Sequence, residues 1–558
     1  MEKIKKDKYL LLVFLFALIS GWSLFRPGYF THHDDIQFLR VYEMRQCLTD
    51  FQIPCRWNQN MAYGYGQPMF NYYSAFPYYI GALLSFFVGY LWSVKLLFII
   101  PQVLAGVSMF LFVKELTGKR IIALAASSAY IFAPYHALDL YVRGALAESF
   151  AYALIPIIFY FSLKLVKRFG IKDFSGLALT VAFFLTTHNI STLITMPVFA
   201  VWCLVILTMY KKKNALALLS SISLGIGMSS FFLIPAFFEK NLITSFRLFG
   251  DALNFRIHFI SLRQLFIDRS WGYGSSGMGV NDTMSFQIGY PLVFIVILSC
   301  LLFITRKYIK ITPFQKLQSK LHLIFFYFII LFFGTSFMAH FRSAFIWEKF
   351  PILWYVQFPW RYLLLVVFAG SAVTAIFILM VNEKFQSLVA ILLIISAILL
   401  NIGYFKPEKF INISESEVLS GTNLERQQGS AVWDYLPINA KPIKESSGKL
   451  PEIVSGNVEI SNYIEKSRSF SFVANAYSQA EIEIPVYDYP VWEMSINGIV
   501  TKHSVNQDGL IVLKINSGDH NIKGEFKNTP VRNLANIISV ISLLLLTYVY
   551  AKNKKYIK

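Results

Sequence analysis

Four short patches in this chain carry the residue types that group-transfer chemistry needs. The first is Thr31-His32-His33-Asp34-Asp35, with Arg40 one or two helical turns later. The second is Arg143-Gly144-Ala145-Leu146-Ala147-Glu148, the third His188-Asn189, and the fourth Gln357-Phe358-Pro359-Trp360-Arg361. A carboxylate near a bilayer surface suits a general base. Arginines suit a phosphate, because the guanidinium is permanently charged and binds through two donors. Transfer of a sugar from a polyprenyl phosphate needs both, an acid to deprotonate the acceptor and cations to stabilise the leaving phosphate. On this reading Asp34 is the base or a metal ligand, Asp35 its neighbour and Glu148 a second acid. Arg143, Arg361, Arg40 and His188 are the donor-phosphate holders. Two or three acids together also suit a hard divalent cation such as Mg or Mn, held through oxygen. The sequence leaves metal use open.

Each patch also has a plain structural reading. Asp34 or Asp35 suits the cap of a helix starting at Ile36. Glu148 opens a helix, where the dipole favours an acid. Arg143 and Arg361 suit lipid-headgroup anchors, and His188-Asn189 suits a helix C-cap. What favours chemistry is that the order of the spans puts all four patches on one face of the membrane.

The elements that must position them follow from composition. The chain has 558 residues, 56% apolar and 15% charged, with mean hydropathy +0.52. Soluble domains run at about 45–50% and about 25%. A soluble enzyme, a disordered chain and a collagen-like chain are excluded. Apolar stretches near the ~20 residues needed to cross a bilayer lie at 9–25, 96–113, 121–135, 150–163, 174–187, 190–210, 215–238, 290–305, 321–339, 362–381, 388–404 and 534–551. The expected fold is a polytopic α-helical membrane protein of about 12 transmembrane helices. Stretch 9–25 reads as a retained first helix, because Phe25-Arg26-Pro27 offers no small-residue cleavage site. No charge falls deep inside these spans as drawn, which counts against ion-coupled transport.

Charge sets the topology. Basic clusters at 3–8, 114–120, 164–172, 211–213, 306–320, 384 and 552–558 all fall in the cytoplasm if stretch 76–92 lies along the interface instead of crossing. Those inside segments then hold an excess of 19 positive charges, the whole net charge of +19. The high pI is thus a topology signal, and nucleic acid is not an expected partner. The reading makes the protein multi-pass, with both termini cytoplasmic and the large loops and β-rich domain outside.

Three outside segments are substantial: 26–95, 239–289 and 405–531. The last is expected to be a β-sandwich domain, with strands at 457–460, 480–485 and 510–515. Asn497-Gly498 signals a type I′ hairpin between 494–496 and 499–500, and Gly518-Asp519 marks another turn. The expected organisation is a transmembrane domain over 1–404, an extracytoplasmic β-rich domain over 405–531, and a final helix with a basic tail over 532–558. Cys47 and Cys55 lie in an oxidising compartment, where a disulfide and two free thiols are both open; Cys203 and Cys300 read as packing residues. The glycine-rich stretch 271–279 lacks the Lys-Ser/Thr of a phosphate loop and reads as a flap or a plain loop. His258, Arg263, Asp268 and Arg269 beside it are candidate contacts for donor or acceptor.

Several blocks carry a family resemblance. They are His33-Asp34-Asp35 with Arg40, Pro54-Cys55-Arg56-Trp57, Gly64-Tyr65-Gly66-Gln67-Pro68-Met69-Phe70 and Tyr72-Tyr73-Ser74-Ala75-Phe76-Pro77-Tyr78. Met284-Ser285-Phe286-Gln287, Phe358-Pro359-Trp360-Arg361 and Tyr489-Pro490-Val491-Trp492 follow, with the stretch from Arg143 to Glu148. The chain resembles the GT-C superfamily of membrane glycosyltransferases, and within it the bacterial YfhO-like group, also labelled a pyruvoyl-tetrahydropterin synthase-related membrane domain. The resemblance implies a GT-C fold with an acidic first outer loop, in a bacterial plasma membrane. Asp34 and Arg40 match the aspartate and arginine spacing of oligosaccharyltransferase catalytic subunits, and Asp34-Asp35 is similar to the acidic pair of protein O-mannosyltransferases. Glu148 stands one residue further from Gly144 than the second-loop acid of the oligosaccharyltransferases. The sequon-recognition motif of those enzymes has no match, which argues against protein N-glycosylation. Soluble pterin synthases use a three-histidine zinc site, and the nine histidines here form no such cluster in sequence.

The expected activity is that of an inverting GT-C-type glycosyltransferase. It would move a sugar from a polyprenyl-phosphate donor to a glycan or other envelope acceptor outside the cytoplasm. The alternatives are a transporter or flippase of lipid-linked glycans, and a non-catalytic envelope protein that binds glycans through its β-rich domain.

Overall fold

Within a bilayer each backbone N–H and C=O must be satisfied inside its own segment, so apolar runs become helices. The computed structural model describes residues 8–210, 212–244, 250, 253–277, 282–305, 319–430, 432–448 and 450–554. Residues 1–7, 306–318 and 555–558, which hold much of three basic clusters, lie outside the described residues, as do Lys211, Met278 and Gly279. Seven helices are long and apolar enough to cross: Phe76–Thr117, Leu146–Lys167, Asn189–Met209, Lys320–Ala339, Pro359–Met380, Glu383–Tyr404 and Pro530–Asn553. Two bent pairs raise the number to nine if each is one span: Arg120–Ile131 with Pro134–Arg143 (48°), and Ala215–Met228 with Ser230–Phe238 (65°). Of the expected twelve, seven to nine are found among the described residues. Two shorter apolar helices, Lys8–Ser20 and Tyr290–Thr305, each adjoin residues outside the description.

A correction concerns charge. The helices begin earlier than hydropathy suggests, because their first turns are polar. Glu148 lies in Leu146–Lys167, Arg361 in Pro359–Met380, and Asp139 and Arg143 in the second arm of a bent pair. All four are buried. The absence of charge from the spans therefore no longer counts against transport.

Local chemistry explains the breaks. Pro134 opens its arm at the first helical position, and the residue before a proline avoids the helical region. Stretch 76–92 is a helix of its own up to Gly89, where φ 73° and ψ 178° break the run Phe76–Thr117 in two. The two parts fold against each other, since Ser93 Oγ donates to Gly81 O at 2.6 Å. The Glu415 carboxylate accepts from Tyr90 N and, at 2.8 Å, from Leu91 N. An acid there caps the free N–H groups of the resumed helix.

The first large loop is tied to distant segments. Tyr29–Phe30 pairs antiparallel with Phe410–Ile411, and Cys47 and Cys55 form a disulfide. Beyond residue 450 lie two antiparallel sheets. One has the order Glu452–Ser455, Ala480–Tyr487, Leu510–Ile515, Ser504–Val505. The other has the order Val458–Lys466, Ser469–Ala476, Gly518–Phe526, Trp492–Ile496, Ile499–Thr501. The hairpin at Asn497-Gly498 forms, with both residues at positive φ (51° and 80°). Gly518-Asp519 is not a turn; it starts a strand, and the chain reverses just before it. The sheets share a core with the first loop, where Trp57 lies 5.4 Å from Trp492 and 5.1 Å from Phe526, ring to ring.

Candidate functional site

The first two patches meet through backbone. His33 N donates to Val142 O (3.0 Å), Asp34 N to Arg143 O (2.9 Å) and Gln37 Nε2 to Gly144 O (2.9 Å). Gly144 makes the approach possible. Its φ is +63°, and a Cβ there would lie 2.2 Å from His32 Nδ1. His32 cannot give way readily, since Tyr29 O–H bonds its Nε2 at 2.8 Å and Phe30 and Phe98 pack on its ring. Burial lowers the His32 pKa to about 3, with His33 and Arg426 adding to the shift.

The second, third and fourth patches meet around Glu148. Its carboxylate accepts from Tyr135 O–H at 2.6 Å and Arg143 Nη1 at 2.8 Å, and faces Arg361 Nε at 3.5 Å. Arg143 also bonds the buried Asp139 and stacks 4.5 Å over Trp360. Arg361 Nη1 donates to Val356 O (2.8 Å) and Gln357 Oε1 (3.2 Å). His188 is an electrostatic neighbour of Glu148, Arg143 and Arg361. It is an N-cap and not a C-cap, accepting from Ser191 N at 3.3 Å.

The three predicted acids differ in what engages them. Glu148 is 1% exposed and surrounded by donors. Asp35 pairs with Arg426 at 2.6 Å. Burial raises its pKa above the ordinary carboxylate value, against the lowering by Arg426. The Asp34 carboxylate is exposed, and no hydrogen bond or ion pair engages it among the described residues. Neither aspartate caps the helix Gln37–Thr49, whose N-cap is Ile36. Arg40, Arg143 and Arg361 all lie within electrostatic range of Asp34. Arg40 Nη1 donates to Tyr73 and Tyr78 hydroxyls at 3.2 Å each. Burial works against its charge, but Tyr73, Tyr78 and Asp34 hold its pKa above the ordinary value. The Nε–H of Arg40 is buried without an acceptor; that of Arg361 makes no hydrogen bond but faces Glu148 at 3.5 Å. An unsatisfied buried donor costs about 1–3 kcal/mol, which an anionic oxygen beside Arg40 would recover.

Sequence reasoning missed several members. Asp139 was legible, since it stands four residues before Arg143, a spacing that pairs charges on a helix. Arg426, Asp434 and Tyr435 were not, because they arrive from the segment before the sheets. Asp434 faces Arg40 and Asp34, and burial pushes its pKa up to about 6. Of the residues near the glycine-rich stretch, Tyr273 O meets His33 Nε2 at 2.9 Å, and Ser276 Oγ meets His258 Nδ1 and Trp360 Nε1 at 2.8 and 3.2 Å. Arg263 pairs with Asp268, and Arg269 turns to Leu400 O, all apart from the four patches. Among the described residues no group of three or more His, Cys, Asp or Glu side chains is placed to hold a metal. Asp139, Glu148 and Asp35 pair with arginines, which leaves Asp34 without a second free acid beside it on its own loop to share a metal ion.

The chain resembles known proteins at several depths. An uncharacterized protein of Lactococcus lactis subsp. cremoris (strain MG1363) is 22% identical over 251 residues, 42% of this chain and 40% of that protein, so the match spans well under half of the relative. The mycobacterial arabinofuranosyltransferase AftD superposes with a TM-score of 0.42 and 14% identity, covering 73% of this chain and 28% of that one. The Archaeoglobus fulgidus oligosaccharyltransferase in its apo form gives 0.41 and 12%, covering 78% and 61%. The model of the 6-pyruvoyl-tetrahydropterin synthase related domain, described as a membrane protein, matches residues 70–407. That match takes in patches two to four and more than half of the chain, and on it the chain belongs to the 6-pyruvoyl-tetrahydropterin synthase-related family of membrane proteins.

Proposed function

We propose that this protein is a membrane glycosyltransferase that moves a sugar from a polyprenyl-phosphate donor to a glycan or other envelope acceptor. One observation carries the reading. Asp34, an exposed carboxylate with no hydrogen bond or ion pair among the described residues, stands within electrostatic range of Arg361 and of Arg40, whose buried Nε–H has no acceptor. Asp34 takes the proton of the acceptor hydroxyl. Arg40 offers its free Nε–H to the phosphate as it leaves, and Arg361 and Arg143 add charge. Attack from the face opposite the leaving phosphate inverts the anomeric centre. Glu148 and Asp139 bind no substrate on this reading; they hold Arg143 and Arg361 in position. The same reading keeps the outer loops and the β-rich region, residues 405–531, on the extracytoplasmic side, both termini inside, and the two sheets as a sandwich that presents the acceptor.

A second reading draws on the buried charges within the spans, which a transport path for lipid-linked glycans would also use. One experiment separates the two. Protein reconstituted in liposomes is given a panel of radiolabelled polyprenyl-phosphate sugars and a crude envelope acceptor. Label appearing on the acceptor supports transfer. Movement of intact donor between leaflets with no label on any acceptor supports transport and overturns the transferase reading.

A further inference from the structure

A cleft of about 500 Å³ lies between the first large loop and the five-stranded sheet, and a second hollow of about 160 Å³ adjoins it. They share Arg468, Phe526 and Lys527 in their walls. Five cations line the two together: Arg56, Lys466, Arg468, Lys523 and Lys527. Only two acids do so, Asp50 and Glu525, and both are already engaged. Asp50 Oδ2 accepts from Ser467 N at 2.6 Å. Glu525 is shared by Lys523 and Lys527. Those two lysines hold its carboxyl down at about 2, so it stays ionised and spoken for. The Lys466 ammonium and the Arg468 guanidinium are exposed and have no hydrogen bond or ion pair among the described residues. Phe470 and Phe526 lie beneath this surface, buried in the core shared with Trp57 and Trp492.

We propose that this cleft binds an anionic saccharide chain, its phosphate or carboxylate groups on Lys466 and Arg468. Charge-assisted bonds from free cations give the anion selectivity. Placement argues for an oligomer. The helix Gln37–Thr49 has Asp35 just before its start and Asp50 at its end. Its 13 residues separate site and cleft by about 20 Å at ~1.5 Å per residue. A ligand held in the cleft and reacting at Asp34 must span that distance. The acceptor role rests on the transferase reading; the binding itself does not. The cleft also ends at Asn528, two residues before the last span begins at Pro530, so a lipid headgroup phosphate is the competing source of the same charge.

The test is equilibrium binding to the full-length protein in nanodiscs of phosphatidylcholine, without turnover. Fluorescent oligogalacturonate and phosphorylated oligomannose are the probes, and maltohexaose is the neutral control. Binding of an anionic probe, tenfold or more weaker in Lys466→Glu/Arg468→Glu and retained in Asp34→Asn, is expected. Equal binding of maltohexaose overturns the proposal. So does failure of both anionic probes, or indifference to the double substitution. Loss of probe binding when phosphatidylglycerol replaces phosphatidylcholine, with phosphatidylglycerol association itself lost in the double variant, reassigns the cleft to lipid. Since Asp34→Asn is silent for binding, failure of the cleft and failure of the transferase reading give different results.

Discussion

Asp34 and Glu148 are both carboxylates at the ends of loops, yet their surroundings assign them opposite work. Asp34 has no partner and stands in the open; Glu148 is buried under Tyr135 and two arginines. Replacing Glu148 by Gln leaves Arg143 and Arg361 with Asp139 alone. Breaking a buried ion pair costs about 3–5 kcal/mol. A lowered melting temperature in detergent is therefore expected together with lost transfer, and an unchanged melting temperature would contradict the positioning role. Asp434 yields a pH prediction. Its folded pKa is about 6, above the ~3.9 of an unfolded aspartate. The folded protein then binds more protons between those values, so stability falls as pH rises from about 4 to about 6 and is level above. Asp434→Asn removes that slope, measured as the melting temperature across pH 4 to 7. A slope that survives the substitution assigns it to another group.

At the scale of elements, the site depends on two contacts between segments far apart in sequence. The first is the seam of the two loops at Gly144. Gly144→Ala adds a Cβ that meets His32, in a left-handed conformation that costs an L-residue about 1–2 kcal/mol. Transfer is expected to be lost while the protein still inserts and folds, shown by a normal elution profile; wild-type transfer would contradict the seam. The second is Arg426 on Asp35. Surface ion pairs contribute about 0–1 kcal/mol, so Arg426→Glu is expected to leave the melting temperature within a degree or two and to lower transfer by moving Asp35. The sequence showed these matters unevenly. The four patches were visible because acids and arginines are rare in so apolar a chain. The hairpin at Asn497-Gly498 was visible because few residue pairs accept two positive φ values. Strand Ser469–Ala476 was equally legible, since Ser-Phe-Ser-Phe-Val-Ala-Asn-Ala alternates plainly and buries every second residue, yet it is not among the expected strands. Asp434, Tyr435 and Arg426 had no local signal, since they join the site only through the packing of a segment some 390 residues away. Span ends were misplaced because hydropathy averages away polar end turns: Glu148 and Arg361 sit in first turns, while Asp139 and Arg143 lie in the arm beyond stretch 121–135.

Across the whole molecule, a buried polar junction ties the sheets to the helices. Arg532, at 0% exposure, donates through Nε to Glu239 at 2.8 Å and through Nη2 to Tyr489 O–H at 3.1 Å. Tyr72 and Tyr489 hydroxyls meet at 2.7 Å, and Asn71 bonds Glu239 at 3.1 Å. The last span, the first loop and the β-rich region therefore form one unit, which suits a site whose parts come from all of them. Glu239→Gln is expected to loosen the β-rich region, read as faster hydrogen exchange through Trp492–Ile496 and Gly518–Phe526. Exchange at the wild-type rate there would show the junction to be dispensable.

The claim everything else leans on is that Asp34 is the base. The direct measurement is sugar transfer and donor binding by Asp34→Asn and wild type in the same nanodiscs, with a donor the wild type uses. Loss of a general base lowers turnover by about 10²- to 10⁴-fold, and the account predicts that loss with donor binding unchanged, since the arginines that hold the phosphate remain. Wild-type turnover by a folded Asp34→Asn protein would contradict it.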